Sequence, residues 1–390
     1  MGPLTILEDL CMHLFRRAAA LAAVSAAVLA AACGEDTPTD PAYAPPLSAG
    51  ADASLSLVPL DAYGLGAAAH GCTGAPYRQF DFWLGRWDVF SGATLAGTNE
   101  VKSRMDGCVV EENWTSAGAG RGRSLNAYDA ATGTWSQFWV GSGGCQFSVI
   151  LMEGGFANGS MTLQGSRTQP EGFFVAPPCG PPPGTVVTTH TDLFRWTLLP
   201  SGDVLQQIAA ANDAPVVPPP DPSTGIGLRY EAVDQVTPLS PPLPSFCPFR
   251  AAARQFDYML GTWQVHQGSG EGAQGTATFS TDLATCLVEE NFTGPGGYEG
   301  LSYNTFDLFT LQWIRTWVDS QGRRIVMRGG PDESGAMVLQ GSRPAPGGRT
   351  VDVRITWRPV DPNEVIQVWE YSTDGGASWK GEKEIRYTKG

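Results

Sequence analysis

The sequence predicts an all-β protein built from two tandem up-and-down antiparallel β-barrels. The first observation is an internal duplication. RQFDFWLGRWDV at Arg78–Val89 returns as RQFDYMLGTWQV at Arg254–Val265, and LQGSR at Leu163–Arg167 returns at Leu339–Arg343. Both pairs are displaced by 176 residues, since 254 − 78 = 176 and 339 − 163 = 176. Solenoid repeats recur about every 20–50 residues, so this period indicates a duplicated domain.

The second observation is that both copies contain the same succession of short segments. These segments are about 5–8 residues long, rich in β-branched and aromatic residues, and separated by Gly, Asp, Asn and Pro. Outside the N-terminal apolar run, no stretch keeps the 3.6-residue apolar period of a helix. Roughly eight to ten strands per copy, joined by turns, predict a meander. Closing that meander into a barrel removes its exposed edge strands.

The amino-acid composition agrees with this fold class and indicates which class of binding partner is not expected. The 390 residues include 48 Gly and 30 Pro, which suits many turns, and the formal net charge is −14. Phosphate binding needs clustered Lys and Arg, so nucleic acid is not expected as a partner. The acidic balance is interpreted as a solvated surface that aids solubility.

A signal peptide is predicted at residues 1–32. Arg16 and Arg17 form a basic head, Ala18–Ala32 is a run of small and apolar residues, and acidic residues before the head place the expected start at Met12. Cys33 follows the small residues in a pattern that resembles the lipobox of bacterial lipoproteins. The resemblance implies that Cys33 carries a lipid and anchors the chain to the cell envelope, at the outer membrane or the cell surface.

The remaining chain is divided by composition and by the repeat. Residues 33–71 are rich in Pro, Ala, Ser and Asp and are expected to be a flexible linker after the lipid. Repeat 1 is assigned to residues 72–236 and repeat 2 to residues 247–390. The Pro-rich stretch at residues 237–246 is expected to be a semi-rigid linker between them.

The repeat also predicts which cysteines form disulfides. In each copy one Cys precedes the opening motif and another precedes the shared Val-Glu-Glu-Asn phrase. Export permits disulfides, whereas zinc is not expected because no CxxC occurs and His is scarce. The expected disulfides are Cys72–Cys108, Cys247–Cys286 and, in the first copy alone, Cys145–Cys179.

The opening motif and the Val-Glu-Glu-Asn phrase, each present in both copies, together resemble an exported bacterial domain-of-unknown-function family whose members open with Phe-Asp-Phe-Trp-x-Gly-x-Trp. More distantly, the Gly-x-Trp at Gly85–Trp87 and Gly261–Trp263 is similar to the opening of calycin barrels, meaning lipocalins, fatty-acid-binding proteins and nitrobindins. The second resemblance implies two calycin-like barrels that hold an apolar ligand. Neither resemblance supplies a reaction.

The calycin resemblance also implies a particular contact at the closed end of each barrel. In that superfamily an Arg from the last strand lies across the Trp of the opening motif. We therefore expect Arg229 to stack on Trp87 and Arg386 to stack on Trp263, each a cation–π contact of about 0.5–2 kcal/mol.

The repeated Glu-Glu-Asn phrase is the first candidate site. Side chains alternate along a strand, so one Glu in each copy points into the barrel, where a carboxyl needs a partner or a raised pKa. Glu112 and Glu290 are the candidates, as ligand-binding groups or as an acid/base. Arg315 could pair with the Glu of copy two, but copy one has Gln137 there. Pairing within the barrel wall, or exposure at its rim, is the stronger interpretation.

Aromatic residues supply the second candidate site. Residues on the inward face of several strands could line an apolar pocket with a few polar groups, although a filled core is at least as favoured for a small barrel. The full set of candidate ligand-binding residues is Glu112, Trp114, Gln137, Trp139, Trp196, Glu290, Phe292, Arg315, Trp317 and Trp357.

No cofactor and no metal site are expected, and the oligomeric state is not predicted. A haem role would need an axial ligand, but His70, His190 and His266 occupy positions that do not recur between the copies. The leading hypothesis is an exported lipoprotein that binds a small apolar or amphipathic ligand or serves a structural role at the envelope. A hydrolase or isomerase using an interior Glu is the alternative, and a pair in which one barrel binds while the other is a scaffold is a third.

Overall fold

The computed structural model describes residues 71–118, 120–143, 146–170, 187–210, 227–240, 247, 251–267, 272–345 and 349–389. The predicted signal peptide, the predicted lipidation site Cys33 and the predicted linker up to residue 70 lie outside this range, as does the expected Cys145–Cys179 disulfide. No helix within these ranges is long and apolar enough to span a membrane.

The described chain forms two closed antiparallel barrels of ten strands each, which confirms the predicted fold class. Each strand pairs with the next in sequence, and the last strand pairs with the first to close the barrel. The strands of barrel 1 are β1 Gly85–Ser91, β2 Thr94–Arg104, β3 Val109–Ser116, β4 Arg121–Asp129, β5 Thr134–Gly143, β6 Gln146–Ala157, β7 Ser160–Pro170, β8 Val187–Leu198, β9 Val204–Ala210 and β10 Gly227–Ala232.

Barrel 2 repeats the same topology with similar strand lengths. Its strands are β11 Gly261–Gln267, β12 Gly275–Asp282, β13 Leu287–Thr293, β14 Glu299–Asp307, β15 Gln312–Asp319, β16 Arg324–Pro331, β17 Met337–Ala345, β18 Arg349–Asp361, β19 Glu364–Ser372 and β20 Lys380–Thr388. Short 3₁₀ helices are found at Ala75–Arg78, Asp81–Trp83, Met105–Gly107, Ala251–Arg254, Asp257–Met259, Leu283–Thr285 and Pro295–Gly297.

The opening motif closes one end of each barrel. In barrel 1 the 3₁₀ turn buries Phe80 and Trp83 completely, and the Trp87 indole N–H donates to the Trp83 carbonyl at 3.0 Å. In barrel 2 the Trp263 N–H donates to the Met259 carbonyl at 2.6 Å. Between turn and strand, Gly85 has a φ of 145°, a conformation that L side chains rarely adopt, and glycine therefore marks this point.

The expected stacking of Arg229 on Trp87 and of Arg386 on Trp263 is wrong. Each Arg precedes a tyrosine that faces the barrel interior, so strand alternation turns the Arg outward, where both are exposed. Arg229 instead lies 5.9 Å from the Phe90 ring. The cation over Trp263 is Lys389, whose Nζ is 4.3 Å from the ring centre.

Two disulfides join the start of each copy to the beginning of its third strand. Cys72–Cys108 and Cys247–Cys286 are both formed, with sequence separations of 36 and 39 residues. These are the two pairs that the repeat predicts. Disulfides persist in oxidising surroundings, so they indicate an extracytoplasmic compartment.

The outer faces of β3 and β4 meet those of β12, β13 and β14 in a charged cluster between the barrels. Arg123 donates to Glu111 at 2.6 Å and to Glu289 at 3.1 Å, and it also forms an ion pair with Asp282. The Tyr303 hydroxyl donates to Glu111 at 2.8 Å. The first Glu of each Glu-Glu-Asn phrase is therefore used to hold one barrel against the other.

Candidate functional site

The second Glu of each phrase lies inside its barrel. On β3, Val110, Glu112 and Trp114 share the inward face, and Glu112 is only 4% exposed. On β13 the equivalent Glu290 is 2% exposed. Strand alternation therefore separates the two carboxylates of each phrase into an interface residue and an interior residue.

In barrel 1, Glu112 is held by neutral hydrogen-bond donors. The Asn99 amide donates to its Oε1 at 2.8 Å from β2, and the Ser124 hydroxyl donates to its Oε2 at 2.7 Å from β4. Gln137 on β5 donates to the Ser124 hydroxyl at 3.3 Å rather than to the carboxylate. No basic side chain among the described residues pairs with Glu112.

Burial raises the pKa of Glu112 from its ordinary value of 4.5 to about 7, although the hydrogen bonds from Ser124 and Asn99 act in the opposite direction. A carboxyl with no countercharge in a low-dielectric interior favours its neutral form. Tyr230 faces the same space, and burial raises the pKa of its hydroxyl well above 10, so it stays protonated. Burial thus brings the pKa of the Glu112 carboxyl close to neutral pH.

Two further acceptors in barrel 1 are buried with no donor among the described residues. They are the amide oxygens of Asn99 and Asn126. The Asn126 amide nitrogen is occupied, because it donates to the Val110 carbonyl at 2.9 Å and to Ser124 at 3.1 Å. Buried acceptors of this kind are rare in native proteins and call for a donor.

Barrel 2 has the same arrangement with an arginine in its centre. Arg315 donates to Glu290 at 2.7 Å, to the Ser302 hydroxyl at 2.7 Å and to the Asn304 amide oxygen at 2.9 Å. Its guanidinium carbon also lies 5.2 Å from the ring centres of both Trp317 and Trp357. The interior carboxylate of this barrel is therefore neutralised by the chain itself.

The two interiors differ at two positions of the polar cluster. Both copies place a Glu on the third strand, Ser and Asn on the fourth, a Gln on the ninth and a Tyr on the tenth. The differences are Gln137 in place of Arg315 and Asn99 in place of Ala277. Barrel 1 therefore keeps the acceptors that bind the guanidinium in barrel 2 but lacks the guanidinium.

The ends of the barrels opposite the opening motif also differ. In barrel 2, Tyr298 is 2% exposed and packs on Phe292 at 5.8 Å, and its hydroxyl donates to Asp319 at 3.0 Å. The equivalent residue of the matching turn in barrel 1 is Gly120. Trp114, the counterpart of Phe292, is half-buried. Barrel 1 therefore lacks the tyrosine that covers this end of barrel 2.

Two indole rings at this end of barrel 1 pack directly on glycines, where no side chain is in the way. The Trp139 ring lies across Gly122, where an added Cβ would come within 2.1 Å of it, and the Trp114 ring lies across Gly97 in the same way at 2.5 Å. The two half-buried rings thus line the mouth above the Glu112 cluster.

The structure brings most of the candidate residues together, barrel by barrel. Glu112, Gln137 and Trp139 occupy neighbouring inward positions in barrel 1, while Trp196 lies deeper, packed on the Phe80–Trp83 plug. The counterparts in barrel 2, Glu290, Arg315, Trp317 and Trp357, are in direct contact, with Phe292 at the mouth. The binding role of all ten stays a prediction. Sequence reasoning missed the polar neighbours Asn99, Ser124, Asn126, Gln206 and Tyr230.

A cavity of about 330 Å³ lies between the barrels. Its lining is mainly polar and includes Arg104 and Asp106 from barrel 1 and Asn291 and Glu299 from barrel 2. Arg104 is already paired with Glu111 at 2.8 Å and with Asn291 at 2.9 Å. Within the described ranges, no group of three or more His, Cys, Asp and Glu is placed to hold a metal ion.

Comparison with known proteins assigns no family. No family model matches the chain, and no curated protein matches it. Among solved structures, the chain is similar to a protein of unknown function from the DUF3598 family of Nostoc punctiforme. The sequences are 11% identical, the TM-score is 0.18, and the match covers 82% of this chain and 100% of that chain. A TM-score this low supports no conclusion, so function has to be inferred from the geometry of the site.

Proposed function

We propose that barrel 1 binds a small amphipathic molecule, with the polar head at Glu112 and the apolar part at the mouth. The observation that carries this proposal is the pair of buried acceptors, Asn99 Oδ1 and Asn126 Oδ1, that have no donor among the described residues. Their side chains belong to the same hydrogen-bond network as the Glu112 carboxyl, which is 4% exposed and has no basic partner among the described residues. A few convergent polar groups in an otherwise apolar cavity are typical of a ligand site.

The mouth of barrel 1 supports the apolar half of the proposal. Trp114 and Trp139 are half-buried, and Gly120 places no side chain where Tyr298 covers barrel 2. Large aromatic surfaces contribute strongly to binding when they are desolvated. Barrel 2, filled by Arg315 and covered by Tyr298, serves in this proposal as a scaffold.

The cellular setting is part of the same proposal. The two disulfides support an oxidising compartment, and the lipobox-like Cys33 would tether the barrels to the envelope. A tethered barrel that holds an amphipathic molecule would capture or carry it outside the cytoplasm.

The test is to purify the full chain from a host that exports it and to record native mass spectra for co-purifying small molecules. We expect one bound molecule per chain. Gly120→Tyr, which copies Tyr298, should abolish binding. The added Cβ would lie 3.3 Å from the Ser142 carbonyl oxygen, a tight contact that the turn has to relieve by a shift of a few tenths of an ångström, so folding of this variant is checked by circular dichroism. The matched control Tyr298→Gly should leave binding intact. A chain with no bound molecule, or equal occupancy in Gly120→Tyr, would contradict the proposal.

One observation favours a catalytic alternative. A general acid or base works best with a pKa near the working pH, and Glu112 has a pKa of about 7. Hydrolase or isomerase chemistry would then be lost in Glu112→Gln while the bound molecule is retained. Mass spectrometry of the bound molecule before and after incubation distinguishes turnover from storage.

A further inference from the structure

Barrel 2 shows in atomic detail which group its interior polar cluster accommodates, the side chain of Arg315. The Arg315 guanidinium satisfies the Glu290 carboxylate, the Ser302 hydroxyl and the Asn304 amide oxygen, all within 2.9 Å. It also lies between the rings of Trp317 and Trp357, each 5.2 Å away. Carboxylate, amide oxygen and aromatic faces are together the complement of a planar cation.

Barrel 1 keeps the residue types of that receptor at the equivalent positions: Glu112, Ser124, Asn126, Trp139 and Trp196. The atom that is left without a donor, Asn126 Oδ1, is the counterpart of the Asn304 oxygen that accepts from Arg315. The duplicated chain therefore contains one copy of the receptor with its cation built in and one copy without it.

We propose that barrel 1 binds a small amphipathic molecule with a guanidinium or primary ammonium head, seated where the Arg315 guanidinium lies in barrel 2. This inference rests on the proposed function and names the chemical class of its ligand. An anionic head would meet the Glu112 carboxylate and two amide oxygens, all acceptors, and would be repelled. A neutral head with one hydroxyl satisfies fewer of these acceptors.

The contacts already present leave room for the cation's hydrogen bonds. Glu112 Oε2 accepts from Ser124 at 2.7 Å, and in barrel 2 the same oxygen of Glu290 accepts from both Ser302 and Arg315. Barrel 2 therefore already contains a carboxylate oxygen with two donors, and Glu112 Oε2 can accept a second donor in the same way. Asn99 occupies the other oxygen of Glu112 and presents its own amide oxygen as an additional acceptor.

The test compares four probes with one hexyl tail and different heads: hexylguanidinium, hexylammonium, hexan-1-ol and hexanoate. Each is titrated into the full chain at pH 8 and followed by calorimetry. We expect hexylguanidinium to bind most tightly, at least tenfold more tightly than hexan-1-ol, and hexanoate not to bind. Glu112→Gln should weaken hexylguanidinium binding at least tenfold.

A variant that copies barrel 2 tests the same idea from within the chain. Gln137→Arg combined with Asn99→Ala should supply the cation internally and abolish hexylguanidinium binding. Asn99→Ala alone removes one acceptor but supplies no cation, so it should weaken hexylguanidinium binding without abolishing it. Both variants are checked for folding by circular dichroism and by hydrogen exchange in β3 and β4.

The outcomes separate this inference from the proposed function. If the four probes bind alike and Gly120→Tyr still blocks them, barrel 1 binds ligands but the cationic head is wrong. Tighter binding of hexanoate or hexan-1-ol, or full binding by the Gln137→Arg/Asn99→Ala variant, would also overturn it. If no probe binds and no molecule co-purifies with the chain, the proposed function itself is wrong.

Discussion

The same substitution at the two interior glutamates should have opposite effects on stability at pH 8. Glu112→Gln removes a carboxyl that has no basic partner in the described part of the chain, and Glu290→Gln removes the partner of a buried arginine. Raising the pKa of Glu112 from 4.5 to about 7 means that its ionisation in the folded barrel is opposed by about 3 kcal/mol.

The sign of the pH dependence follows from the direction of that change. Because the folded pKa is raised, the folded state binds the proton more tightly than the unfolded state does. The stabilisation from Glu112 is therefore complete below about pH 4.5 and is lost as the pH rises through about 7. Glu112→Gln, which is always neutral, should lie within about 1 kcal/mol of the wild type at pH 5 and exceed it by about 3 kcal/mol at pH 8.

Glu290→Gln provides the matched control. Arg315 is 2% exposed, and removing its carboxylate leaves a buried charge with only neutral partners. Breaking a buried ion pair by removing one partner costs about 3–5 kcal/mol. This variant should be destabilised at both pH 5 and pH 8.

Hydrogen exchange followed by mass spectrometry measures both effects, because peptides from β3–β4 and from β13–β14 report the two barrels separately. We expect increased protection of barrel 1 in Glu112→Gln that is much larger at pH 8 than at pH 5, and decreased protection of barrel 2 in Glu290→Gln at both pH values. Equal protection of wild type and Glu112→Gln at pH 8, or a stabilised Glu290→Gln, would refute the reasoning about the two interiors.

Three further predictions concern the disulfides, the barrel interface and the ligand. Replacing Cys72 and Cys108 by Ala opens a loop with a separation of 36 residues, so thermal denaturation should show a loss of about 2–4 kcal/mol, and an unchanged melting temperature would contradict this. Arg123→Leu leaves three acidic partners without their shared cation. It should lower the free energy of unfolding in urea by about 3–5 kcal/mol. A loss of less than about 1 kcal/mol, the scale of an exposed ion pair, would mean that the cluster does not determine the stability of the interface. Hexylguanidinium affinity should fall on the order of 100-fold from pH 8 to pH 5 as Glu112 is protonated, and calorimetry that shows a flat profile would exclude Glu112 as the contact.

The fold could be predicted because its determinants are local and occur twice. Short apolar segments and turn residues define the strands, and the repeat identifies which cysteines are equivalent, so Cys72–Cys108 and Cys247–Cys286 follow from comparing the copies. The stacking of Arg229 on Trp87 failed because it was transferred from a resemblance. Adjacent residues on a strand face opposite sides, and with Tyr230 inward Arg229 has to face outward.

The site was only partly predictable for a different physical reason. Ser124 and Asn126 recur in both copies at inward positions, and comparing the copies by strand face could have identified them. Asn99 carried no such signal, because its counterpart is Ala277. The charged cluster around Arg123 depends on how the barrels pack, and that arrangement involves residues more than 150 positions apart in the sequence, such as Arg123 and Asp282 at a separation of 159.

The two interiors represent two solutions to one electrostatic problem. A buried carboxylate has to be paired, protonated or removed. Barrel 2 pairs its Glu290 with Arg315, and the shorter Ala277 stands opposite in the same interior. Barrel 1 differs at both positions. Gln137 stands in place of Arg315 and carries no charge, and Asn99 stands in place of Ala277 and donates a hydrogen bond to Glu112 that partly offsets the loss of the ion pair. If the substitution served packing alone, a neutral residue at position 112 would relieve the remaining unfavourable burial. Barrel 1 instead keeps the Glu112 carboxyl beside amide oxygens that have no donor among the described residues, and it has Gly120 in the position of Tyr298. This is the arrangement expected when a ligand supplies the cation.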